Sequence, residues 1–343
     1  MRLRGRHDSR TGRRGLALAL IPLLGLFCGG LLGVGVSQEA RSEEGSSGVI
    51  KSVEVVLLST MLADSRGIGE WGFAALVEAD GRRILFDTGA RPETVLRNAR
   101  ELKIDLSGVN EVILSHHHGD HTGGLVTLRR ELSRENPKAL ERAYVGEGIF
   151  LSRPDPEGRE QNEALAIKRE YESLGGSFTV IRQPTSLFPG AWLTGPVPRP
   201  YPERNWSLAR SIVRDGKRTE DNLPEDMSLV LDTPKGLVVV SGCGHAGIIN
   251  TLEFARDRIR KAPIHAALGG FHLFEAKPDV LDWTAGKLRS FELGHFLGAH
   301  CTGIEPVFAL RERLGLDRKR CAVGAVGARF RLDEGLQPGR IAE

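Results

Sequence analysis

Cysteine is scarce in this chain: four occur among 343 residues, at positions 28, 243, 301 and 321. Cys28 lies in an apolar N-terminal run, so three cysteines remain for the rest of the chain. Three cysteines cannot form a disulfide framework, which excludes the class of small domains that depend on one. Two of the three lie beside histidines, in Cys243-Gly244-His245 and His300-Cys301. Those neighbours raise the alternative of metal chemistry for Cys243, whereas Cys321 fits a small buried residue.

The chain also has little net charge, +3 in total, and that charge is concentrated at the N-terminus. Residues 1–37 carry six arginines and one aspartate, a local +5. Subtracting this +5 from the total of +3 leaves −2 on the other 306 residues. The body of the chain therefore lacks the basic excess of nucleic-acid-binding proteins, and we expect no nucleic-acid partner.

An export signal is predicted at residues 1–37. The arginines precede an uncharged apolar run over residues 15–36, which ends in small residues before Gln38. The pair Arg13-Arg14 resembles a twin-arginine signal, and we expect cleavage after Ser37 and an extracytoplasmic, periplasmic location. An uncleaved membrane anchor at residues 15–36 is the alternative, because such a run can cross a bilayer of about 30 Å. Residues 38–50 are small and polar and are predicted to be a linker.

From residue 51 onward, strand and helix patterns alternate and predict one α/β domain over residues 51–343. Strands are predicted at 53–60, 72–80, 82–87 and 111–115, and helices at 92–102, 122–143 and 160–174. Residues 183–222 are rich in proline, aromatics and arginine, and we interpret them as an irregular part of an insertion around 130–224 that forms a wall of a binding site. Arg199, Glu203 and Arg204 are candidates there for contact with an anionic or aromatic substrate. After Asp226 the alternation resumes, which is typical of two β-sheets between helices, an αββα sandwich.

The motif His116-His117-His118-Gly119-Asp120-His121 follows a predicted strand directly. Four potential ligands within six residues can converge on one or two metal ions if the chain turns sharply, and Gly119 permits such a turn. A surface histidine cluster is a weaker interpretation, because the motif contains an aspartate and follows a buried strand.

This pattern, HxHxDH after a strand, resembles the signature of the metallo-β-lactamase superfamily, whose fold is an αββα sandwich. The resemblance implies that His116 and His118 hold one metal ion, and that Asp120 and His121 hold a second. Asp87, in Phe86-Asp87-Thr88-Gly89, matches the aspartate that usually orients the metal loop in that superfamily. Two zinc ions are implied, with iron or manganese as alternatives.

Three downstream segments resemble the subgroup that includes the archaeal dihydropterin–ribofuranosylaminobenzene phosphate synthase: 238–247, 267–273 and 300–303. By this resemblance, Cys243 and His300 are metal ligands, and His272 is a histidine that transfers a proton. The superfamily's usual third-motif histidine is absent, and Glu225-Asp226 occupies its place. Either His245 or Asp226 completes the first metal site, and we favour His245 because imidazole suits zinc.

The expected function is metal-dependent hydrolysis of a small molecule by a metal-bound hydroxide, with a phosphoester, a lactone or a thioester-like substrate. Asp120 is expected to orient the water and His272 to pass a proton to the leaving group. Two alternatives remain: a synthase that joins a pterin diphosphate to an aromatic amine, and a non-catalytic metal-binding protein. Export disfavours the synthase, and the intact HxHxDH motif disfavours the non-catalytic protein.

Overall fold

The computed structural model describes residues 48–203 and 210–340, and residues Gly45–Glu343 form one compact unit. The predicted signal, residues 1–37, and most of the predicted linker lie outside the described residues. Within the described ranges no helix has both the length and the apolar character needed to span a membrane.

Seventeen strands occur in the described part of the chain: β1 Val53–Ser59, β2 Ala74–Ala79, β3 Arg82–Phe86, β4 Glu111–Leu114, β5 Arg142–Gly146, β6 Ser177–Ile181, β7 Thr185–Phe188, β8 Ala191–Leu193, β9 Ser211–Arg214, β10 Lys217–Glu220, β11 Leu229–Thr233, β12 Gly236–Ser241, β13 Ile264–Gly269, β14 His295–Gly298, β15 Cys321–Val323, β16 Arg329–Arg331 and β17 Gly335–Gln337. The same residues include seven α-helices: α1 Thr94–Glu101, α2 Gly119–Thr122, α3 Leu125–Leu132, α4 Ala164–Ser173, α5 Ile248–Arg258, α6 Pro278–Ser290 and α7 Ile304–Leu314. A short 3₁₀ turn spans His300–Thr302.

Two large mixed sheets contain most of the strands. The first has the order β17-β16-β1-β2-β3-β4-β5-β6, and the second the order β15-β14-β13-β12-β11-β8-β7. One buried apolar cluster contains residues of both sheets, such as Val55 and Phe86 of the first and Val240 and Leu268 of the second. The inner faces of the sheets therefore pack against each other.

The outer face of each sheet is covered by helices. Leu85 and Val112 of the first sheet share a cluster with α1, α3 and α4, and the second sheet shares another cluster with α5, α6 and α7. Removing this much apolar surface from water is the main stabilising contribution to such a fold. The architecture is the predicted αββα sandwich.

Parallel strands place several loops at one edge of each sheet. In the first sheet β3 and β4 pair in parallel, and in the second β12, β13 and β14 pair in parallel. The carboxyl ends of parallel strands lie at the same edge, so the loops that follow β3, β4, β12, β13 and β14 can meet there. These loops carry the predicted site residues.

Two sequence-based expectations differ from the structure. The helix predicted over 122–143 is much shorter in the structure: α3 ends at Leu132, and Pro137 follows. The apolar run of Ala143-Tyr144-Val145 lies on strand β5 rather than on a helix. The predicted irregular segment 183–222 contains β7 and β8, which extend the second sheet, and a separate β9–β10 hairpin. The insertion around 130–224 stays a prediction. Strands β5 to β8 lie within this range and belong to the two main sheets.

Candidate metal centre

The histidine motif begins where β4 ends at Leu114 and continues into the single turn of α2. His118 is still extended (φ −60°, ψ 141°), and the helical turn starts at Gly119. The backbone N–H of His121 donates to the carbonyl of His118 at 3.0 Å, which closes the turn. An extended segment followed by one turn brings the side chains on both sides of Gly119 together. Gly119 does not adopt the left-handed conformation; a Cβ there would lie 2.9 Å from Glu163 Oε2, the end of an exposed side chain that can move away.

Asp87 fixes the orientation of the motif from beneath. Its buried carboxylate accepts hydrogen bonds from Ser115 N, from Ser115 Oγ and from His121 Nδ1, each at 2.7 Å. Ser115 Oγ in turn lies 2.9 Å from His116 Nδ1. Because the Nδ1 atoms of both histidines are engaged, their Nε2 atoms are left for the site, which is how outer hydrogen-bond partners orient metal-binding histidines. The orienting role of Asp87 agrees with the resemblance, whereas Ser115 was missed, although it directly precedes the motif.

One cluster of potential ligands consists of His116, His118 and His245, whose ligand atoms lie within 4.8 Å of one another. His116 Nε2 and His118 Nδ1 are 2.9 Å apart. The ring of His245 lies 4.7 Å from that of His116 and 5.0 Å from that of His118. The structure therefore brings His245, on the loop after β12, to the two histidines of the motif.

Asp226, the alternative third ligand, belongs to no such cluster among the residues that the structure describes. Its Oδ2 accepts a hydrogen bond from the backbone N–H of Ala246 at 2.9 Å. Asp226 therefore anchors the loop that carries His245. This placement supports the histidine alternative.

A second cluster brings together Asp120, His121 and His300. His300 Nε2 lies 3.3 Å from His121 Nε2 and 3.3 Å from Asp120 Oδ2. Cys243 Sγ lies 3.1 Å from His121 Nε2 and also forms a cluster with His116 and His121. The Cys243 thiol thus has ligand atoms of both groups close to it, which agrees with its expected role as a metal ligand.

The loop after β13 carries His272, the histidine expected to transfer a proton. β13 ends at Gly269, so His272 lies beyond the strand, where it forms a cluster with Cys243 and His245. Its Nδ1 is buried without a hydrogen-bond partner. An orphaned nitrogen in this position is one feature that a bound ion or substrate group would satisfy.

Three site residues that are not glycine adopt positive φ angles: Asp87 (57°), His272 (49°) and His300 (47°). Each such conformation costs of the order of 1 to 3 kcal/mol and persists where the surroundings determine it, most often at functional sites. Close backbone approach also requires glycine at position 242, where a Cβ would lie 2.1 Å from Ser115 Oγ and 2.5 Å from Asp87 Oδ2. The loops of the two sheets therefore interlock tightly around the ligands.

The pKa values of the motif histidines are shifted in opposite directions. Burial, reinforced by neighbouring histidines, holds the pKa of His116 and of His118 well below 6.5, so both are neutral and ready to bind a metal ion. Burial also lowers the pKa of His121, but the charges of Asp87 and Asp120 outweigh it and raise the pKa to about 9. Burial raises the pKa of Asp120, yet His121 and His300 bring it well below its ordinary value, so Asp120 is a carboxylate.

A buried ionic network supports the motif from the other side. His117 Nδ1 lies 2.7 Å from Glu225 Oε1, and Arg153 Nη2 donates to both oxygens of Glu225 at 2.9 and 2.8 Å. Arg153 Nε also donates to Asp221 at 2.8 Å. Burial raises the pKa of Glu225, but the hydrogen bond from His117 and the charge of Arg153 lower it to about 2. The sequence pointed to Glu225 only as the neighbour of Asp226 and gave it no role, and Arg153 was missed because nothing near it separates it from surface charges.

A cavity of about 1220 Å³ opens onto the ligands and is lined at its base by His118, Asp120, His245 and His272. Its walls carry charges of both signs, from Arg153, Arg159, Arg210, Arg218, Asp155, Glu157, Glu160, Glu163 and Asp221. The predicted segment 183–222 contributes Arg210, Ser211, Arg218 and Asp221 to this lining, and its role as the wall of a binding site stays a prediction.

The candidates named for that wall have other contacts. Arg199 donates to the carbonyl of Leu223 at 3.0 Å, and Glu203 accepts from Ile249 N and Asn250 N at the start of α5. Arg204 lies outside the described residues. Trp71, half exposed, instead stands beside the centre, with its ring 4.9 Å from that of His300.

The donor set fits a divalent transition-metal ion. Imidazole, carboxylate and thiolate are the ligand types of such ions. A tetrahedral ion with bonds of about 2.0 to 2.3 Å separates its ligand atoms by about 3.3 to 3.8 Å. The separations quoted above, 2.9 to 3.3 Å, and the 3.9 Å between His121 Nε2 and Asp120 Oδ1 fall around that range. The clusters can therefore hold metal.

The chain is similar to several known proteins. Residues 72–202 match the family profile described as the Metallo-beta-lactamase superfamily. The 7,8-dihydropterin-6-methyl-4-(beta-D-ribofuranosyl)-aminobenzene-5'-phosphate synthase of Methanocaldococcus jannaschii is 28% identical over 294 residues, which cover 81% of this chain and 98% of that protein. An uncharacterized protein of the same organism is 28% identical over 261 residues, 75% of this chain and 94% of that protein.

Among solved structures, Tm1679, described as a metal-dependent hydrolase of the beta-lactamase superfamily, is similar with a TM-score of 0.64 at 24% identity. The similarity covers 81% of this chain and 98% of the Tm1679 chain, and it shows that the two share a fold. The interlocked histidine motif, the two-sheet sandwich and these similarities together show that the chain contains a metallo-β-lactamase superfamily domain.

Proposed function

We propose that this protein is a metal-dependent hydrolase whose active site is the ligand cluster at the base of the cavity. The observation that carries the proposal is the convergence of His116, His118 and His245 beside Asp120, His121 and His300. We further propose that Cys243 joins the two sets and that the resident ions are two zinc ions. The mixture of imidazole, carboxylate and thiolate donors supports zinc over magnesium or calcium.

Bound divalent ions would supply a hydrolytic nucleophile at neutral pH, because they lower the pKa of coordinated water to about 7. The chain's own groups orient the reaction. Asp120 is anionic and partly exposed to the cavity, so its carboxylate can accept a hydrogen bond from the attacking water. The same carboxylate lies 3.3 Å from His300 Nε2, within the second group of potential ligands.

His272 is the proposed proton donor to the leaving group. It lines the cavity, and its ring lies 4.7 Å from that of His245. Imidazole is the side chain that most often acts as a general acid, so His272 can donate a proton within hydrogen-bond reach of a substrate. Its position in the lining of the cavity supports this role.

The cavity supports a polar, charged substrate. Arg159, Arg210 and Arg218 line its walls, and guanidinium groups recognise phosphate with paired hydrogen bonds. Acidic side chains line the same walls, which suits a substrate that also carries hydrogen-bond donors. A phosphoester fits this lining best among the expected hydrolysable groups, which also include lactones and thioesters.

A synthase of the dihydropterin–ribofuranosylaminobenzene phosphate type is the second candidate. One observation favours it: the similarity to the M. jannaschii synthase extends over 98% of that protein rather than over the metal motif alone. Both candidates use the same metal centre. They differ in whether the cavity binds one substrate and water or two organic substrates.

Metal analysis combined with a substrate panel tests the proposal. We expect the purified protein to hold at least one equivalent of transition metal and to hydrolyse a member of a panel of phosphoesters, lactones and thioesters. His118→Ala should abolish turnover and lower the metal content. Metal well below one equivalent, or turnover that does not depend on His118, would contradict the hydrolase. A pterin that co-purifies with the protein, and turnover only with a pterin diphosphate and an aromatic amine, would establish the synthase instead.

We also propose that residues 1–37 direct export, with residues 15–36 as the segment that meets the membrane. Support comes from the arginine-rich start and the uncharged apolar run. N-terminal sequencing of the protein from an extracytoplasmic fraction should give Gln38 as the first residue. An intact N-terminus in a membrane fraction would establish an anchor, and an intact N-terminus in the cytoplasm would refute export.

A further inference from the structure

Cys301 lies at the metal centre although its position in the sequence assigns it no role. Its Sγ is 3.2 Å from Cys243 Sγ, and both side chains are almost completely buried. The two residues are free cysteines, not a disulfide. A disulfide would require an S–S distance of about 2.05 Å. The structure thus presents two adjacent thiols within the ligand cluster.

The donor atoms of Cys243, His300 and Cys301 lie within 4.8 Å of one another. The 3.2 Å between the two sulfur atoms and the 3.1 Å between Cys243 Sγ and His121 Nε2 are close to the ligand separations of a tetrahedral ion, about 3.3 to 3.8 Å. Cys301 therefore has the same relation to the centre as the ligands already proposed.

The backbone directs the Cys301 thiol toward Cys243. Cys301 is the middle residue of the 3₁₀ turn His300–Thr302, and His300 enters that turn with φ +47°. The backbone N–H of His300 donates to Thr60 Oγ1 at 3.0 Å, which fixes the start of the turn. On the far side, a Cβ at Gly270 would lie only 3.0 Å from Cys301 Sγ, so the glycine leaves room for the sulfur atom.

Cys321 is a buried cysteine of the same fold with which Cys301 can be compared. It lies on β15 in the apolar cluster with α7, and its thiol contacts the carbonyl of Val307 at 3.6 Å. It belongs to no potential ligand cluster among the described residues. Burial alone therefore does not distinguish the two cysteines; the surrounding ligand atoms do.

We propose that Cys301 is a further metal ligand, so that the second site receives two thiolates, from Cys243 and Cys301, beside the imidazole of His300. The inference rests on the proposed metal centre. Each thiol releases one proton to solvent as its sulfur binds the ion, and no oxidant or reductant is needed. Two thiolates make the site softer than the usual imidazole and carboxylate set, and this selects zinc or cobalt(II) over manganese.

The test counts metal-bound sulfur in the full chain. Apo-protein is loaded with zinc or cobalt(II), and X-ray absorption and the thiolate-to-cobalt charge-transfer band report the number of sulfur ligands. The wild type should show two sulfur ligands at about 2.3 Å from zinc. Cys301→Ser should show one, and its charge-transfer band should fall to about half. Cys321→Ser, the matched control, should keep two.

Cys243→Ser provides an independent measurement should Cys301→Ser not fold. It should retain one sulfur ligand, supplied by Cys301, whereas zero would overturn the inference. An unchanged sulfur count in Cys301→Ser would also overturn it and leave the proposed hydrolase intact. A purified wild type that holds a Cys243–Cys301 disulfide after metal loading, detected as a mass lower by two hydrogens, would overturn it too. A wild type that binds no metal would instead contradict the proposed function.

Discussion

Asp87→Asn tests how far the hydrogen bonds beneath the metal loop determine metal binding. Asp87 accepts three hydrogen bonds of 2.7 Å, and two of them, from Ser115 Oγ and His121 Nδ1, end on the same oxygen, Oδ2. An asparagine that keeps its oxygen toward Ser115 N presents an NH₂ group to His121. The imidazole must then lose its Nδ1 proton and carry one on Nε2, the atom that faces the centre.

The expected cost follows from this change of tautomer. Substituting an outer hydrogen-bond partner of a metal-binding histidine typically lowers metal affinity about 10- to 100-fold, or about 1.4 to 2.7 kcal/mol. The apo-protein should also lose about 1.5 to 3 kcal/mol of unfolding free energy with the charge-assisted hydrogen bond. Chelator competition measures the first quantity and urea denaturation of the apo-protein the second.

Asp333→Asn is the matched control, because the Asp333 side chain is 82% exposed and should change neither quantity. The reasoning is refuted if Asp87→Asn folds normally and binds zinc within twofold of the wild type. In that case the loops of the second sheet, rather than Asp87, would hold the His121 ring.

Three further predictions concern the surroundings of the centre. Asp226→Asn should bind the same amount of metal as the wild type, whereas His245→Ala should not. Burial raises the pKa of Asp226 to about 6, although the hydrogen bond from Ala246 N–H opposes this. Because the buried carboxyl loses its proton at a higher pH than in the unfolded chain, the wild type should lose stability relative to Asp226→Asn as the pH rises from 4 to 8. Urea titrations of the apo-proteins should show a loss of up to about 3 kcal/mol. Arg153→Ala should cost about 3 to 5 kcal/mol in the same assay, because two buried carboxylates lose their partner. Gly242→Ala should lower metal affinity, since its Cβ would displace the hydrogen bonds beneath the loop, while Gly286→Ala, on an open helix surface, should stabilise the fold by about 0.5 to 1 kcal/mol.

Each of these predictions has an outcome that contradicts it. Loss of metal from Asp226→Asn would restore the carboxylate as a ligand, and a pH-independent difference would show that Asp226 is not buried as a charge. An Arg153→Ala protein as stable as the wild type would mean that the network is hydrated. Equal metal affinity in the Gly242 and Gly286 variants would show that the loop has room for a methyl group.

The sequence contains enough information for the fold and the motif because both depend on local patterns. The alternation of apolar residues predicted β1 to β4 and β11 to β14, and the six-residue motif needs only one turn to converge. The helix expected over 122–143 was wrong because the short apolar run of β5 fits a buried helix as well as a strand. Strands β7 and β8 were missed because the segment's proline and arginine content obscures a period of two.

The partners of the motif could not be predicted from sequence because their contacts are long-range. Glu225 is 108 residues from His117, and Cys301 is 58 residues from Cys243. Nothing at either position indicates which surface it meets, and only the packing of the two sheets decides this. The choice between His245 and Asp226 also depends on long-range contacts. Both residues lie next to strands, but the backbone N–H of Ala246 donates to the Asp226 carboxylate, which belongs to no ligand cluster among the described residues.

The β9–β10 hairpin joins neither main sheet in the part of the chain that the structure describes. It is attached through a bridge between Val213 and Ser152 and through Arg218, which donates to the carbonyls of Pro154 and Asp155 at 3.0 Å. Its residues line the cavity, yet no proposed ligand and no inter-sheet contact depends on it. Replacing the hairpin should therefore change the lining of the cavity while the two main sheets and the proposed metal ligands stay in place.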